Sequence, residues 1–132
     1  MSPLPAAAPT KAADILVIED DIGMRELLAV HLAQAGYRVR VAADAMAGGR
    51  MLLAERPDLL LLDVRMPHMG GDELLALIRA DEALKGVKVI VLTMLKSGAV
   101  SEQFERMGVS AFLMKPIDKE QLLAAIAKAL GA

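Results

Sequence analysis

The chain has no cysteine and only three aromatic residues, Tyr37, Phe104 and Phe112, among its 132 positions. The missing thiols exclude disulfides, zinc–thiolate sites and thiol nucleophiles. No apolar stretch approaches the roughly 20 residues of a membrane span, and we expect no membrane insertion. The net charge of −2 comes without a long basic run, which argues against direct nucleic-acid binding. Because 55% of the residues are hydrophobic, an aliphatic core is expected instead.

The start of the chain is rich in alanine and proline, with Pro3, Pro5 and Pro9. It lacks the charged start and the apolar stretch of a secretory signal peptide. We therefore interpret residues 1–13 as a flexible leader, residues 14–131 as one folded domain, and the protein as cytoplasmic.

Short apolar runs typical of strands alternate with segments of helical periodicity from Asp14 onward. Residues 59–62 are apolar without alternation, which indicates a central parallel strand covered on both faces. The hydrophobic residues Tyr37, Val39 and Val41 alternate with Arg38 and Arg40, and this pattern indicates an edge strand. The other strands are predicted at residues 15–18, 87–92 and 111–114, and the helices near 24–35, 46–55, 74–78, 99–107 and 122–130. Five βα repeats predict an α/β fold with a parallel sheet and helices on both faces.

Polar side chains end four of the five predicted strands, where the binding sites of open parallel sheets lie. They are Glu19, Asp20 and Asp21, then Asp63, Thr93 and Lys115. Clustered carboxylates repel one another and favour a divalent cation, and all-oxygen ligands favour magnesium. A lysine and a hydroxyl beside such an ion suit a tetrahedral oxyanion. The set therefore predicts a phosphoryl-transfer site with a carboxylate nucleophile.

Four segments, ILVIEDD, LLLLDVRMP, VIVLT and FLMKP, resemble the response-regulator receiver family in their order and spacing. The resemblance covers about residues 13–130, and the four segments together are specific although each alone is common. It implies a flavodoxin-like, doubly wound (βα)5 sheet with strand order 2-1-3-4-5. It also implies a role in two-component signal transduction.

By this resemblance, Asp63 accepts a phosphoryl group from a sensor histidine kinase or a histidine phosphotransfer protein in a Mg²⁺-dependent reaction. Glu19, Asp20, Asp63 and the backbone carbonyl of Arg65 would hold the ion. Asp21 is left out of the ligands because a helix N-cap suits it well.

The resemblance also implies that Thr93 and Lys115 contact the phosphoryl group and that Phe112 is an aromatic switch residue, although core packing alone explains an aromatic there. A cis peptide before Pro116 is feasible. A downstream protein target would read the face formed by the fourth helix, fifth strand and fifth helix. We expect a monomer or a weak dimer.

Four positions that depart from the family or vary within it bear on the mechanism. Met94 stands where the family usually has a small residue, so we expect it to cover the site and to slow both phosphorylation by small donors and hydrolysis. Arg65 and Leu95 occupy positions that tune the lifetime. Gly70 replaces a frequent Asp and is expected to loosen its loop.

Several alternatives remain beside a single-domain regulator with protein–protein output and no turnover of a separate substrate. The chain could be a receiver module excised from a larger regulator or hybrid kinase. It could also be a pseudo-receiver that binds partners without phosphorylation, although the set of acids, Thr93 and Lys115 is complete. A haloacid-dehalogenase-type phosphohydrolase needs a second acid two positions after the nucleophile, where Arg65 stands. His31 and His68 are assigned no catalytic role.

Overall fold

Five parallel strands alternate with five helices in the computed structural model, which describes residues 12–66, 68–94 and 98–131. The strands are β1 (Asp14–Ile18), β2 (Arg38–Ala42), β3 (Leu59–Asp63), β4 (Lys88–Thr93) and β5 (Ala111–Met114). The helices are α1 (Ile22–Gln34), α2 (Ala45–Ala54), α3 (Gly71–Ala80), α4 (Gly98–Arg106) and α5 (Lys119–Ala129). Each predicted element is present, with ends shifted by a few residues. The predicted leader falls mostly on residues 1–11, outside the described ranges.

The strand order is β2-β1-β3-β4-β5, and all neighbours are parallel, which confirms the predicted topology. The chain passes outward to β2 on one side of β1 and to β3 on the other. The switch in direction therefore lies between β1 and β3, and a binding crevice is expected at their carboxyl ends. All five residues of β3 are buried, as a central strand requires.

The sheet buries aliphatic side chains on both faces, because successive strand residues point to opposite sides. On one face, alternate residues of β1 and β3 pack with Leu52, Leu75, Ile78 and Phe104 from α2, α3 and α4. On the other face they pack with Leu28, Leu32, Leu122 and Ile126 from α1 and α5. Burial of each such side chain stabilises the fold by about 1.5–3 kcal/mol. Among the described helices, none has the length and apolarity needed to cross a bilayer.

Aspartates start three of the helices immediately after the strand ends. The carboxylates of Asp21, Asp44 and Asp118 each accept a hydrogen bond, 2.8–2.9 Å long, from the backbone N–H three residues further on. Such caps contribute about 1 kcal/mol each. At the other end of α1, Gly36 adopts a φ of 97°, which favours glycine and ends the helix as predicted. Asp21 is thus the N-cap that the sequence predicted.

The edge strand β2 is fastened to its neighbours by two arginines. Arg40 donates to both carboxylate oxygens of the buried Asp14, at 3.1 and 2.8 Å, and to the carbonyl of Glu55 at 2.9 Å. Arg38 forms a 2.8 Å ion pair with the exposed carboxylate of Glu55. These contacts lie at the amino end of β1, so the carboxyl end of the sheet remains available for a site.

Candidate functional site

Four charged side chains from three strand ends meet at the carboxyl edge of the sheet. One carboxylate oxygen from each of Glu19, Asp20 and Asp63 lies within 4.8 Å of the other two. The Nζ atom of Lys115 donates to Oε1 of Glu19 at 2.7 Å and to Oδ1 of Asp63 at 3.3 Å. These four residues line a cavity of about 240 Å³ together with Asp21, Arg65 and Met94.

Burial controls the charges in this cavity. The side chain of Glu19 has no exposed surface and that of Asp63 is 4% exposed, whereas Asp20 is exposed to solvent. Burial, and after it the adjacent Glu19, raise the pKa of Asp63 to about 7, and the ammonium group of Lys115 offsets only part of this rise. Burial alone would lower the pKa of Lys115, but Glu19 and Asp63 raise it above its ordinary value. A charged lysine therefore faces an acid that titrates near neutral pH.

Gly71, which the sequence did not indicate as a site residue, lies closely against the backbone of Asp63. The N–H of Gly71 donates to the carbonyl of Val64 at 2.9 Å, which folds the loop after β3 back onto the strand. A Cβ atom on Gly71 would overlap the carbonyl oxygen of Asp63 and lie 3.0 Å from Cα of Val64. Both obstacles are backbone, so they cannot move aside cheaply. Gly70, by contrast, has an extended backbone that any residue can adopt.

The remaining residues of the predicted set lie at or next to the cavity. The Arg65 N–H points at Oδ1 of Asp63 from 3.4 Å, and its role as a carbonyl ligand stays a prediction. Thr93 is buried at the end of β4, and the backbone N–H of Lys115 donates to its carbonyl at 2.7 Å. Met94 is 64% exposed and lines the cavity. Leu95 lies outside the described residues.

Phe112 connects β5 to α4. Its ring centroid lies 5.9 Å from that of Phe104, with the planes tilted by 41°, and Phe104 is buried in the core. This contact agrees with core packing and with a switch role alike. The Lys115–Pro116 peptide bond is cis, as the resemblance suggested.

Arg25 is a second residue that the sequence analysis missed. Its Nη1 atom donates to the carbonyl oxygens of Glu19, at 2.9 Å, and Asp20, at 3.4 Å. His68 is exposed and lines a different small cavity. The buried Nδ1 of His31 has no hydrogen-bond partner among the described residues.

The donor set suits a hard divalent cation. Glu19, Asp20 and Asp63 offer only carboxylate oxygens, and the single ammonium of Lys115 leaves negative charge uncompensated when all three acids are ionised. Magnesium fits this set because it binds through one or two carboxylates and keeps several waters.

Three comparisons with known proteins point to one family. Residues 15–127 match the family described as Response regulator receiver domain. The chain is 38% identical over 120 residues to the transcriptional regulatory protein GlrR of Escherichia coli, covering 91% of this chain and 27% of the relative. It is 32% identical over 114 residues to the DNA-binding dual master transcriptional regulator RpaA of Synechocystis, covering 85% and 46%. The chain thus spans less than half the length of these curated relatives.

Solved structures agree. The chemotaxis protein CheY4 of Vibrio cholerae superimposes with a TM-score of 0.84 at 29% identity, covering 89% of this chain and 98% of that one. A receiver domain protein described as CheY-like from Methanospirillum hungatei gives 0.83 at 32% identity, covering 91% and 94%.

Proposed function

The chain belongs to the response regulator receiver family, whose function is phosphoryl-accepting signal transduction, and we propose that Asp63 is its phosphoryl acceptor. The observation that carries this assignment is the position of Asp63. It is a buried carboxylate at the end of the central strand, with two further acids and a lysine in contact range. Glu19 shares the burial, the neighbouring acids and the contact with Lys115, but it follows β1, whereas Asp63 ends the central strand β3.

The proposed reaction is an in-line displacement at phosphorus. An ionised carboxylate oxygen of Asp63 attacks the phosphorus of a phosphohistidine and forms a P–O bond as the P–N bond breaks. The histidine nitrogen keeps the bonding electrons and takes a proton. The pKa of Asp63 is about 7 with the positive charge of Lys115 already beside it, and a bound cation would lower this pKa and favour the ionised form at neutral pH. Water later attacks the same phosphorus and releases inorganic phosphate.

Glu19, Asp20, Asp63 and the backbone carbonyl of Arg65 would hold Mg²⁺, and Glu19 would do so through a water. When bound, the ion supplies neutralising charge to the phosphoryl oxygens. The proximity of the three carboxylates within 4.8 Å supports this assignment. The chain's own residues orient the nucleophile and keep the lysine beside it.

The switch would start from Lys115 and Thr93. In the proposed phosphorylated form, Lys115 pairs with one phosphoryl oxygen and the Thr93 hydroxyl donates to another. Their existing backbone hydrogen bond already joins β4 to β5, and Phe112 links β5 to Phe104 of α4. Charge-assisted hydrogen bonds can supply the few kcal/mol that a shift between two conformations requires. The α4–β5–α5 face would then change its affinity for a protein target.

The proposal extends to the setting of the domain. Residues 14–131 form the receiver domain, and its donor is a sensor histidine kinase or a histidine phosphotransfer protein. The output is a protein–protein contact of a monomer or weak dimer. The protein promotes its own phosphorylation and dephosphorylation and turns over no separate substrate. It works in the cytoplasm, where ATP supplies histidine kinases.

Labelling with acetyl phosphate or a phosphorylated kinase in the presence of Mg²⁺ tests the acceptor. We expect one acid-stable, base-labile phosphoryl group, absent from Asp63→Asn. Asp118→Asn is the matched control, because asparagine caps a helix as well as aspartate, and it should label normally. A base-labile phosphoryl group on Asp63→Asn would exclude Asp63 as the acceptor.

A further inference from the structure

We propose that Arg25 is a positioning residue that aims the carboxylates of Glu19 and Asp20 at the cation, an inference that rests on the proposed function. Arg25 lies one turn into α1, and its guanidinium folds back over the loop between β1 and α1. There it donates to the carbonyls of Glu19 and Asp20 at 2.9 and 3.4 Å.

The loop it contacts is short and carries two of the acids. Glu19 is still joined to β2, because its N–H donates to the carbonyl of Ala42 at 3.1 Å. Asp21 already caps α1, so Glu19 and Asp20 must turn between strand and helix within very few bonds. Fixing the carbonyls of these two residues fixes their peptide planes, and with them the directions in which their side chains leave the backbone.

Arg25 and Lys115 act on different parts of the same acids. Lys115 contacts the carboxylate oxygens of Glu19 and Asp63, which are the atoms that a cation would also use. Arg25 contacts carbonyl oxygens instead and leaves the carboxylates open. Its hydrogen bonds can therefore persist when the cation binds, whereas those of Lys115 must rearrange.

Calorimetric titration of Mg²⁺ into the purified protein tests the proposal without any reaction. We expect Arg25→Met to weaken Mg²⁺ binding by about 10-fold or more, the size typical for residues that orient metal ligands. Arg25→Lys keeps a hydrogen-bond donor but not the planar guanidinium group, so its Mg²⁺ affinity should fall between those of wild type and Arg25→Met. Arg50→Met removes an exposed arginine of α2 and should bind Mg²⁺ with unchanged affinity. Circular dichroism of each variant identifies any loss of folding, and Arg25→Lys keeps the test available if Arg25→Met does not fold.

Two further measurements separate positioning from a general charge effect. Short hydrogen bonds act at any salt concentration, so the affinity ratio between wild type and Arg25→Met should persist in high salt. A long-range charge effect would have the opposite sign, because Arg25 and Mg²⁺ repel each other, and salt would screen it. A ratio of one in high salt would therefore overturn the proposal. At saturating Mg²⁺, labelling of Arg25→Met should return to within a few fold of wild type, because Arg25 does not contact Asp63 or the phosphoryl group. A rate that stays low would also overturn it.

The proposed function can fail independently of this inference. If folded Arg25 variants bind Mg²⁺ as tightly as wild type while Asp63→Asn loses the label, only the positioning role is wrong. If Asp63→Asn keeps the label, the acceptor assignment is wrong whatever the titrations show.

Discussion

Lys115 and Glu19 form a 2.7 Å salt bridge across 96 positions of the chain, with the carboxylate fully buried and the lysine side chain 15% exposed. This contact joins the first and last strand ends of the site. It also places the ammonium group where it meets Asp63 at 3.3 Å. The site is thus organised around one lysine that contacts two acids.

Removing that lysine should leave two buried acids facing each other. We expect Lys115→Met to lower the free energy of unfolding of the metal-free protein by about 2–4 kcal/mol at slightly alkaline pH, because a buried charge loses its partner. Added Mg²⁺ should restore part of the loss. Urea unfolding with and without Mg²⁺ measures both effects. Lys85→Met breaks only an exposed pair with Glu82 and should change stability by less than about 0.5 kcal/mol. Equal losses in the two variants would contradict the prediction.

The raised pKa of Asp63 predicts an unusual pH dependence. Its folded-state pKa is about 7, against 3.8 for an unperturbed aspartate, so the folded metal-free protein holds a proton that the unfolded chain has lost between these values. Stability due to this group is therefore present below about pH 4 and is lost as the pH rises through 7. The asparagine of Asp63→Asn has no proton to lose, so this variant should not lose stability over the same pH range. We expect this variant to be more stable than wild type by roughly 1–3 kcal/mol near pH 8 and to show no advantage near pH 4.

Urea unfolding at several pH values in a metal chelator checks this difference. An advantage of Asp63→Asn that grows toward acid pH would show that the carboxylate of wild type is stabilised in its ionised form.

The close approach of Gly71 to the backbone of Asp63 predicts a costly methyl group. Gly71→Ala should lower the free energy of unfolding by about 2–4 kcal/mol, because strand and loop must separate to admit the Cβ atom. It should also slow labelling of Asp63. Gly49→Ala is the control, since a Cβ there meets nothing within 4 Å and alanine favours the helix by about 0.5–1 kcal/mol. If both alanines stabilise the protein, the inferred clash is absent.

The position of Met94 predicts an effect on the rates of phosphorylation and dephosphorylation. Its long side chain lines the cavity of Asp63, so Met94→Ala should accelerate both labelling by acetyl phosphate and loss of the label several-fold. Met46 is similarly exposed, at 66% against 64%, but lies outside that cavity, and Met46→Ala should leave both rates unchanged. Time courses of labelling and of hydrolysis provide the test. If neither rate rises, Met94 does not shield the site.

The sequence predicts the fold well because the aliphatic strands carry a strong pattern. Residues 59–62 lack polar alternation, and β3 is indeed central and buried. Arg38 and Arg40 alternate with apolar residues, and β2 is an edge strand. The meeting of Glu19, Asp20, Asp63 and Lys115 also follows from the sequence, since parallel strands end at one rim.

Gly71 and Arg25 could not be found in the same way. Both act on backbone carbonyls, whose positions depend on how loops fold after the strands end. The Gly70–Gly71 pair is a local signal in the sequence, but it does not indicate which glycine lies against the backbone of Asp63. Arg25 lies in the first turn of α1, and an arginine in a helix ordinarily indicates a solvent-exposed position.

The arginines of β2 also bear on whether the sheet edges of two copies of the chain can pair. The outer side of an edge strand offers unpaired N–H and C=O groups to any other extended chain. Arg38 and Arg40 form ion pairs with Glu55 and Asp14, which places charged groups beside that row. A second copy that approached edge to edge would have to dehydrate the exposed pair of Arg38 and Glu55. The border of the sheet therefore discourages strand addition and the aggregation that follows from it.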